Sequence, residues 1–274
     1  MGESKGGPVY KGLGKVPDRA MLLFAALMYV FLYAPILMLV FFSFNSSRST
    51  QVWTGFSTEW YGELIRDQSI LEAFRLSMIV GVTATAIATV IGTLTALALT
   101  RHRFRGKTVA DSAIYAATVM PEVVVGVSLL VFFVAATIQL GIVTIIIAHV
   151  AFTISFVTIV VRARLSGMDR SVEEAAQDLG ANPVETFLRV TLPLILPGVM
   201  AGALLAFTLS LDDFVITFFV SGVGSSTLPL KIYSMIRFGV SPAINALSTV
   251  VLVATMVLIF GGSRIFMRKE NTQG

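Results

Sequence analysis

Long apolar runs separated by short polar segments make up most of the chain. A transmembrane helix needs about 20 mostly apolar residues, because a rise of ~1.5 Å per residue must cover ~30 Å of hydrocarbon. Six runs meet that length, and they are continuously apolar rather than alternating with a period of two, which favours helices over a β-barrel. The pattern predicts an all-α membrane protein whose six-helix domain spans residues 21–263. The six predicted spans are Met21–Phe42, Phe74–Thr100, Val109–Thr137, Gly141–Val161, Pro197–Val220 and Ile244–Gly262.

The first run follows a basic segment, residues 1–20, as the apolar core of a signal peptide would. It is longer than the ~7–15 residues of such a core, and no small-residue cleavage site follows it. We therefore expect a retained first span preceded by a tail.

The composition agrees with a membrane protein. Charged residues make up 13% of the 274 residues and hydrophobic residues 55%, whereas a soluble domain has ~25% charged residues to cover its surface. The chain has no cysteine and two histidines, which excludes disulfides and thiol catalysis and leaves little for a metal site. We expect no cofactor in this chain.

The positions of the basic residues predict an orientation. With the N-terminus in the cytoplasm, all but five of the 20 Lys and Arg residues lie on the cytoplasmic side. The positive-inside rule then predicts that both tails, residues 1–20 and 264–274, are cytoplasmic. This asymmetry explains the net charge of +4 without a nucleic-acid partner. The five outer residues are Arg48, Arg66, Arg75, Lys231 and Arg237.

Small residues follow one another at helical spacing on the second span. Gly81, Thr85, Thr89 and Thr93 are each four residues apart, a spacing that lets helix backbones approach closely in lipid. The spacing fits a face buried within this chain and an interface with another membrane subunit equally well.

The longest cytoplasmic connection, residues 162–196, has the pattern of two short helices. Ser171 with Glu174 three residues later predicts a capping box at the start of the first helix. Gly180 is suited to the left-handed position that follows a helix end.

A second helix is predicted from Asn182, with Glu185 completing its cap, to a point before Pro193. A helical hairpin attached to the membrane at both ends fits a docking element. An amphipathic hairpin lying on lipid headgroups fits the composition equally well.

The spacing of residues within this hairpin decides between the two. The order Glu174-Ala175-Ala176, three residues, Gly180, nine residues, Val190, one residue, Leu192-Pro193 resembles the EAA loop of the ABC-importer permeases, EAA-x3-G-x9-I-x-LP. The one departure is Val190 in place of isoleucine, which is conservative.

The resemblance implies that this loop is the coupling helix, seated in a cleft of a cytoplasmic ATPase. Glu174, Ala175, Ala176 and Gly180 would then be the coupling residues. The chain has no G-x-x-x-x-G-K-[ST] phosphate loop, so we expect a transporter subunit rather than an enzyme. The family implies two ATPase subunits and a second permease as partners.

Three carboxylates lie within apolar runs: Glu122 in the third span, and Asp212 and Asp213 in the fifth. An acid inside the membrane costs ~2.5–3.5 kcal/mol on insertion scales and is a functional candidate by default. Both spans run outward, and at ~1.5 Å per residue Glu122 and Asp212 are both ~20–22 Å from the inner face. The sequence therefore predicts one anionic layer, although a protonated Glu122 bonded to a neighbouring span is an alternative.

The surroundings of these acids suggest a cation pathway. Pro121 precedes Glu122 and predicts a kink beside the carboxylate. Of the two aspartates, we expect one to face the pathway and the other a structural partner, and we favour Asp213 for the pathway. Acids in a water-filled path attract cations and repel anions, which argues against an anionic cargo.

Several aromatic residues are placed to stack on such a cation. Tyr115, Phe207, Phe214 and Phe218 are the candidates, and each also fits a packing or lipid-facing role. His149 in the fourth span is interpreted as a hydrogen-bonded packing residue rather than a proton relay.

Further runs are similar to one branch of the family, the polyamine (putrescine/spermidine) permeases of binding-protein-dependent, type I importers. This resemblance implies a multi-pass protein of the bacterial inner membrane that works by alternating access. It also implies a periplasmic binding protein docking on the outer loops around Phe44–Glu72 and Ser221–Pro242. The matching runs are YAPILMLVFFSFN, WYGEL, MPEVVVGVSLLVFF, EEAAQDLGANP, LAFTLSLDDFVITFFVSG and RFGVSPAINALST.

Three rival interpretations remain at this stage. One is a permease for another small solute. Another is an ion-coupled secondary transporter with Glu122 and Asp213 as ion sites, although the inverted repeats common in such folds are not evident. The third is a membrane scaffold that only anchors an ATPase.

Overall fold

A computed structural model describes residues 18–48, 52–237, 239 and 241–270. Helices account for most of this part of the chain, and short connections join them. In chain order they are α1 (Asp18–Phe42), α2 (Glu59–Arg66), α3 (Gln68–Arg101), α4 (Lys107–Val119), α5 (Glu122–Ala135), α6 (Ile142–Ser166), α7 (Ser171–Asp178), α8 (Pro183–Thr186), a π-helical turn (Phe187–Thr191), α9 (Leu192–Asp212), α10 (Val215–Val220), α11 (Leu228–Arg237) and α12 (Pro242–Glu270).

The apolar runs form helices as expected, but fewer than six of these helices are long enough to count as membrane spans. Within the described residues, four helices are long and apolar enough to cross a bilayer, and a fifth is added if α4 and α5 form one broken span. The sixth predicted span corresponds to α12, whose apolar stretch within the described side chains, Pro242–Val257, is too short for that test. The helical membrane class is confirmed, while the count of six spans stays a prediction.

The predicted tails are only partly covered. Residues 1–17 and 271–274 lie outside the described residues, and α12 continues as helix through residues 264–270.

The centre of the fold is the packing of α3, α6 and α9 against one another. Val157 of α6 is fully buried between two glycines. A Cβ atom on Gly92 of α3 would lie 2.8 Å from the Val157 Cβ, and one on Gly202 of α9 would lie 3.4 Å from the Val157 Cα. The glycines therefore allow the three backbones to approach closely around one valine.

The small-residue stripe of α3 divides between two surroundings. Gly81 and Thr93 are buried within this chain, and a Cβ on Gly81 would meet the Phe207 ring of α9 at 3.2 Å. Thr85 and Thr89 are partly exposed and line an open, apolar groove beside Phe207. The stripe is thus in part an internal packing face.

Two further apolar clusters extend the core along α3. One joins α3 with α5, α6 and α10 around Phe133, Ile145 and Ile216. The other joins α3 with α2, α11 and α12 around Trp60 and Leu247. Because α3 takes part in every cluster, it connects the two ends of the molecule.

Candidate functional site

The first element of the site is a sharp break between α4 and α5. Pro121 has φ −58° and ψ 134°, outside the helical region, and Met120 before it is extended as well. The two helices are bent by 112° at this point. Proline lacks the N–H that would continue the helix and restricts the residue before it. The predicted kink is confirmed, and it leaves Glu122 as the exposed first residue of α5.

A second break, in the fifth span, was not predicted. The span is not one helix over Pro197–Val220, because α9 ends at Asp212 and α10 begins at Val215. Asp213 between them is extended, with φ −65° and ψ 122°. Its carboxylate accepts hydrogen bonds from the N–H groups of Ile216 (3.1 Å) and Thr217 (2.8 Å). Asp213 is one residue before the N-cap Phe214 of α10, but its carboxylate accepts from N–H groups of the first turn as a capping aspartate would. This signal lies inside a continuous apolar run.

Asp213 also belongs to a buried polar network. The Thr217 hydroxyl donates to Asp213 at 2.8 Å, and His149 Nε2 is 3.2 Å from the same carboxylate oxygen. His149 Nδ1 lies 2.7 Å from the Ser210 hydroxyl and Nε2 lies 2.9 Å from that of Thr217. The histidine thus links α6 to both halves of the broken span, as expected for a hydrogen-bonded packing residue.

The two aspartates have different surroundings. Asp213 is 7% exposed and is held by structural partners. Asp212 is exposed and lines a cavity of about 290 Å³ together with Phe214 and Tyr233. The sequence interpretation assumed a continuous helix, whereas α9 ends between these two residues. The pathway role of either aspartate stays a prediction.

The aromatic residues Phe74, Phe214 and Tyr233 line part of the Asp212 cavity, and Phe218 lies beside Phe214. The ring centroids of Phe214 and Tyr233 are 4.5 Å apart, and those of Phe214 and Phe218 are 5.6 Å apart. No sequence pattern marks Tyr233, because α11 lies in a segment that the sequence predicts to be an outer loop. Phe207 faces the other groove, beside Thr85.

The two breaks lie against each other. α5 packs against α10, and a Cβ on Gly126 would lie 2.7 Å from the Phe219 ring and 3.4 Å from the Ile216 Cα. Tyr115 is 53% exposed on α4 and does not line the Asp212 cavity. Glu122 and Tyr115 therefore lie on α5 and α4 and do not line the Asp212 cavity, and a single layer of three carboxylates stays a prediction.

The predicted coupling segment begins differently from the expected capping box. Ser171 is the first residue of α7 rather than its cap, and the preceding Arg170 makes no side-chain cap. The Ser171 N–H instead donates to the Asp169 carboxylate at 3.0 Å. This hydrogen bond and one from the Ser171 hydroxyl hold the pKa of Asp169 below its ordinary value. α7 therefore begins at Ser171, one residue earlier than a capping box of Ser171 and Glu174 predicts.

The end of α7 is as predicted. Gly180 has φ +92°, and its N–H donates to the Gln177 carbonyl. The Ala181 N–H donates to the Ala176 carbonyl. This pair of bonds is the Schellman arrangement, in which glycine avoids the penalty that a Cβ brings to the left-handed conformation.

The second short helix has the predicted beginning but not the predicted end. Asn182 accepts from the Glu185 N–H at 2.9 Å, and the Glu185 carboxylate accepts from the Asn182 N–H at 3.2 Å. The helix then continues past Pro193 into α9 through the π-helical turn, where the Leu192 N–H donates to the Phe187 carbonyl. The wider π-helical turn lets the helix continue through Pro193, which the sequence predicts to lie beyond the helix end.

The surface of the segment carries the residues that the motif singles out. Glu174, Ala175 and Gly180 are exposed, and Ala176 is partly buried. Leu179, beside the turn, is 91% exposed. The segment therefore presents small and apolar groups on its outside.

Comparison with known proteins places this geometry in a family. Residues 88–267 match the family described as binding-protein-dependent transport system inner membrane component. The chain belongs to this family. The permease is accordingly a multi-pass inner-membrane transport subunit and not an enzyme, since the ATPase of such a system is a separate chain that binds the nucleotide. Permeases of ABC importers work with an ATPase and a substrate-binding protein.

Two relatives from Escherichia coli (strain K12) are similar over most of the permease. It is 47% identical over 249 residues to the putrescine transport system permease protein PotI, covering 88% of this chain and 89% of the relative. It is 43% identical over 251 residues to the spermidine/putrescine transport system permease protein PotC, covering 92% and 94%.

Solved structures share the fold at low sequence identity. A bacterial ABC transporter involved in the import of the acidic polysaccharide alginate aligns with a TM-score of 0.74 at 16% identity, covering 92% of this chain and 95% of that chain. The inward-facing MetNI methionine ABC transporter aligns with a TM-score of 0.61 at 17% identity, covering 78% and 99%. The permease therefore has the ABC-importer permease fold.

Proposed function

We propose that the permease is a transmembrane subunit of an ATP-driven importer that carries a polyamine, a putrescine- or spermidine-like cation delivered by a periplasmic binding protein. The observation that carries this proposal is its 47% and 43% identity, over about nine tenths of the chain, to permeases named for putrescine and for spermidine/putrescine transport.

The Asp212 cavity fits a primary ammonium group. An exposed carboxylate at the break of a membrane span attracts a cation. The rings of Phe214 and Tyr233 beside it can contact an ammonium group through their faces and the methylene chain through apolar surface. This combination of charge and aromatic surface favours an amine over an anion or a sugar.

Glu122 is a second carboxylate of the proposed route. It is exposed at the start of α5, and α5 packs against α10 just beyond Asp212. Two separated acids suit a cargo with more than one positive charge. Asp213 contributes structure to this route rather than direct contact, and Tyr115 stays a predicted pathway residue.

The proposed complex contains two ATPase subunits, a second and related permease, and the binding protein on the outer loops. In the bilayer the permease has six spans with both termini in the cytoplasm. This orientation places α7 and the turn at Gly180 on the cytoplasmic side, where an ATPase is accessible, and it is supported by the positive-inside distribution.

Coupling is proposed to pass through Glu174, Ala175, Ala176 and Gly180. The small alanines permit close approach of the ATPase surface, and exposed Leu179 supplies apolar contact. Closure of the ATPase dimer on ATP then moves α7, and the spans alternate between outward- and inward-facing states.

The proposal is tested by reconstituting the complete complex in liposomes with the binding protein outside and ATP inside. Uptake of labelled putrescine and spermidine is compared with uptake of an amino acid and of ferric ion. We expect uptake of the amines only, together with amine-stimulated ATP hydrolysis.

A matched complex whose ATPase lacks its phosphate-loop lysine serves as the control. Amine uptake that persists in this control would overturn the ATP-driven mechanism and support an ion-coupled transporter. If the amino acid or ferric ion stimulates ATP hydrolysis and the amines do not, the polyamine cargo is wrong but the ATP-driven mechanism stands.

A further inference from the structure

A buried ion pair connects the coupling segment to the end of α3. Arg101 is the last residue of α3, and its Nε lies 2.9 Å from a carboxylate oxygen of Glu173 in α7. The two side chains are only 13% and 11% exposed. The hydroxyl of Thr191, the last residue of the π-helical turn that leads into α9, donates to the other Glu173 oxygen at 2.8 Å. Both oxygens of one carboxylate are thus engaged by two different helical elements.

The other attachments of α7 are weaker. Its helix packs mainly on α8 and the π-helical turn, which follow it directly in the chain. The neighbouring pair of Arg170 and Glu174 is 3.8 Å apart, with side chains 63% and 66% exposed, so solvent screens it. A nearly dry pair is screened far less, and removing one member leaves an uncompensated buried charge.

α3 is suited to carry a displacement from this pair. It runs from Gln68 to Arg101 and takes part in all three apolar clusters. At its opposite end, the Ser77 hydroxyl accepts a hydrogen bond from the Leu228 N–H of α11 at 2.7 Å. Packed side chains and this hydrogen bond therefore connect α3 to α5, α10 and α11.

We propose that Glu173, Arg101 and Thr191 form a latch that transfers movement of the coupling segment directly to α3 and α9. Glu173 is a positioning residue in this scheme: it faces inward and acts through Arg101, whereas the adjacent Glu174 faces outward. The inference rests on the proposed function, in which α7 is the element that the ATPase moves.

The first test measures the number of ATP molecules hydrolysed per polyamine imported by the reconstituted complex. Substitutions along a coupling route change coupling by about 0.5–2 kcal/mol, so Glu173→Gln is expected to raise this ratio about 2- to 30-fold. The complex should still assemble, since Glu174 and the outer surface of α7 are unchanged.

Two further variants separate coupling from folding. Asp111→Asn breaks the ion pair with Arg162, which joins α4 to α6 rather than α7 to α3, and it should leave the ratio unchanged. The double exchange Arg101→Glu with Glu173→Arg restores opposite charges and should recover the ratio, at least in part. A ratio equal to wild type in Glu173→Gln, or one raised equally in Asp111→Asn, would overturn the latch.

A distance measurement tests the latch without any cargo. The chain has no cysteine, so spin labels can be attached at Arg103→Cys and Asp178→Cys. In a complex whose partner chains have no reactive cysteine, the labels report the distance between α7 and the segment just after α3. We expect one narrow distribution with and without nucleotide, which broadens in Glu173→Gln. An unchanged narrow distribution in that variant would overturn the inference, whereas absence of amine uptake by the wild-type complex would overturn only the proposed function.

Discussion

At the scale of single residues, Asp212 and Asp213 show that neighbours in sequence have unrelated roles. A buried carboxylate is tolerated only where hydrogen bonds replace its hydration. Asp213 has two backbone donors, the Thr217 hydroxyl and His149 as partners. Asp212 is exposed in an aromatic-lined cavity. The first aspartate is therefore available to a ligand, and the second holds the broken span together.

These roles predict a difference in stability. Asp213→Ala should lower the free energy of unfolding by about 1–3 kcal/mol, because the buried N–H groups of Ile216 and Thr217 lose their side-chain acceptor. Asp213→Asn should cost less, since the amide oxygen still accepts from the first turn of α10. Thermal unfolding of the purified permease in detergent measures both, with Asp212→Ala as the control. Equal losses for the two alanine variants would contradict the assignment.

At the scale of elements, the two broken spans form a single unit. α4 and α5 meet at a bend of 112°, α9 and α10 are separated by Asp213 and Phe214, and α5 packs on α10. Irregular backbone at membrane depth is tolerated where it is buried in protein or lines a cavity. The packing of one break on the other supplies such an environment.

Close packing at Gly126 makes this unit sensitive to one methyl group. A Cβ there would lie 2.7 Å from the Phe219 ring, so Gly126→Ala should separate α5 from α10 and cost about 1–3 kcal/mol by overpacking. Thermal unfolding measures the loss. Gly62→Ala in α2, where a Cβ meets nothing within 4 Å, should leave stability unchanged or higher. A loss no greater at Gly126 than at Gly62 would show that the two breaks are not tightly packed.

At the scale of the whole molecule, local physics made some features predictable from the sequence. The apolar runs had to become helices, the bend at Pro121 follows from a missing N–H, and the turn at Gly180 follows from its left-handed backbone. The break at Asp213 could not be predicted from hydropathy, because an interrupted helix and a continuous helix have the same apolar run. The pairing of Arg101 with Glu173 depends on how α3 meets α7, which no local pattern contains.

The central claim is that a cation passes this permease beside Asp212. It is tested most directly by ATP-dependent uptake of labelled putrescine into proteoliposomes that contain the complete complex, comparing wild type with Asp212→Asn. Uptake at limiting putrescine should fall by about one to two orders of magnitude, because a hydrogen bond to a charged group contributes about 1.5–3 kcal/mol and the carboxamide lacks the charge. Uptake equal to that of the wild type would contradict the claim.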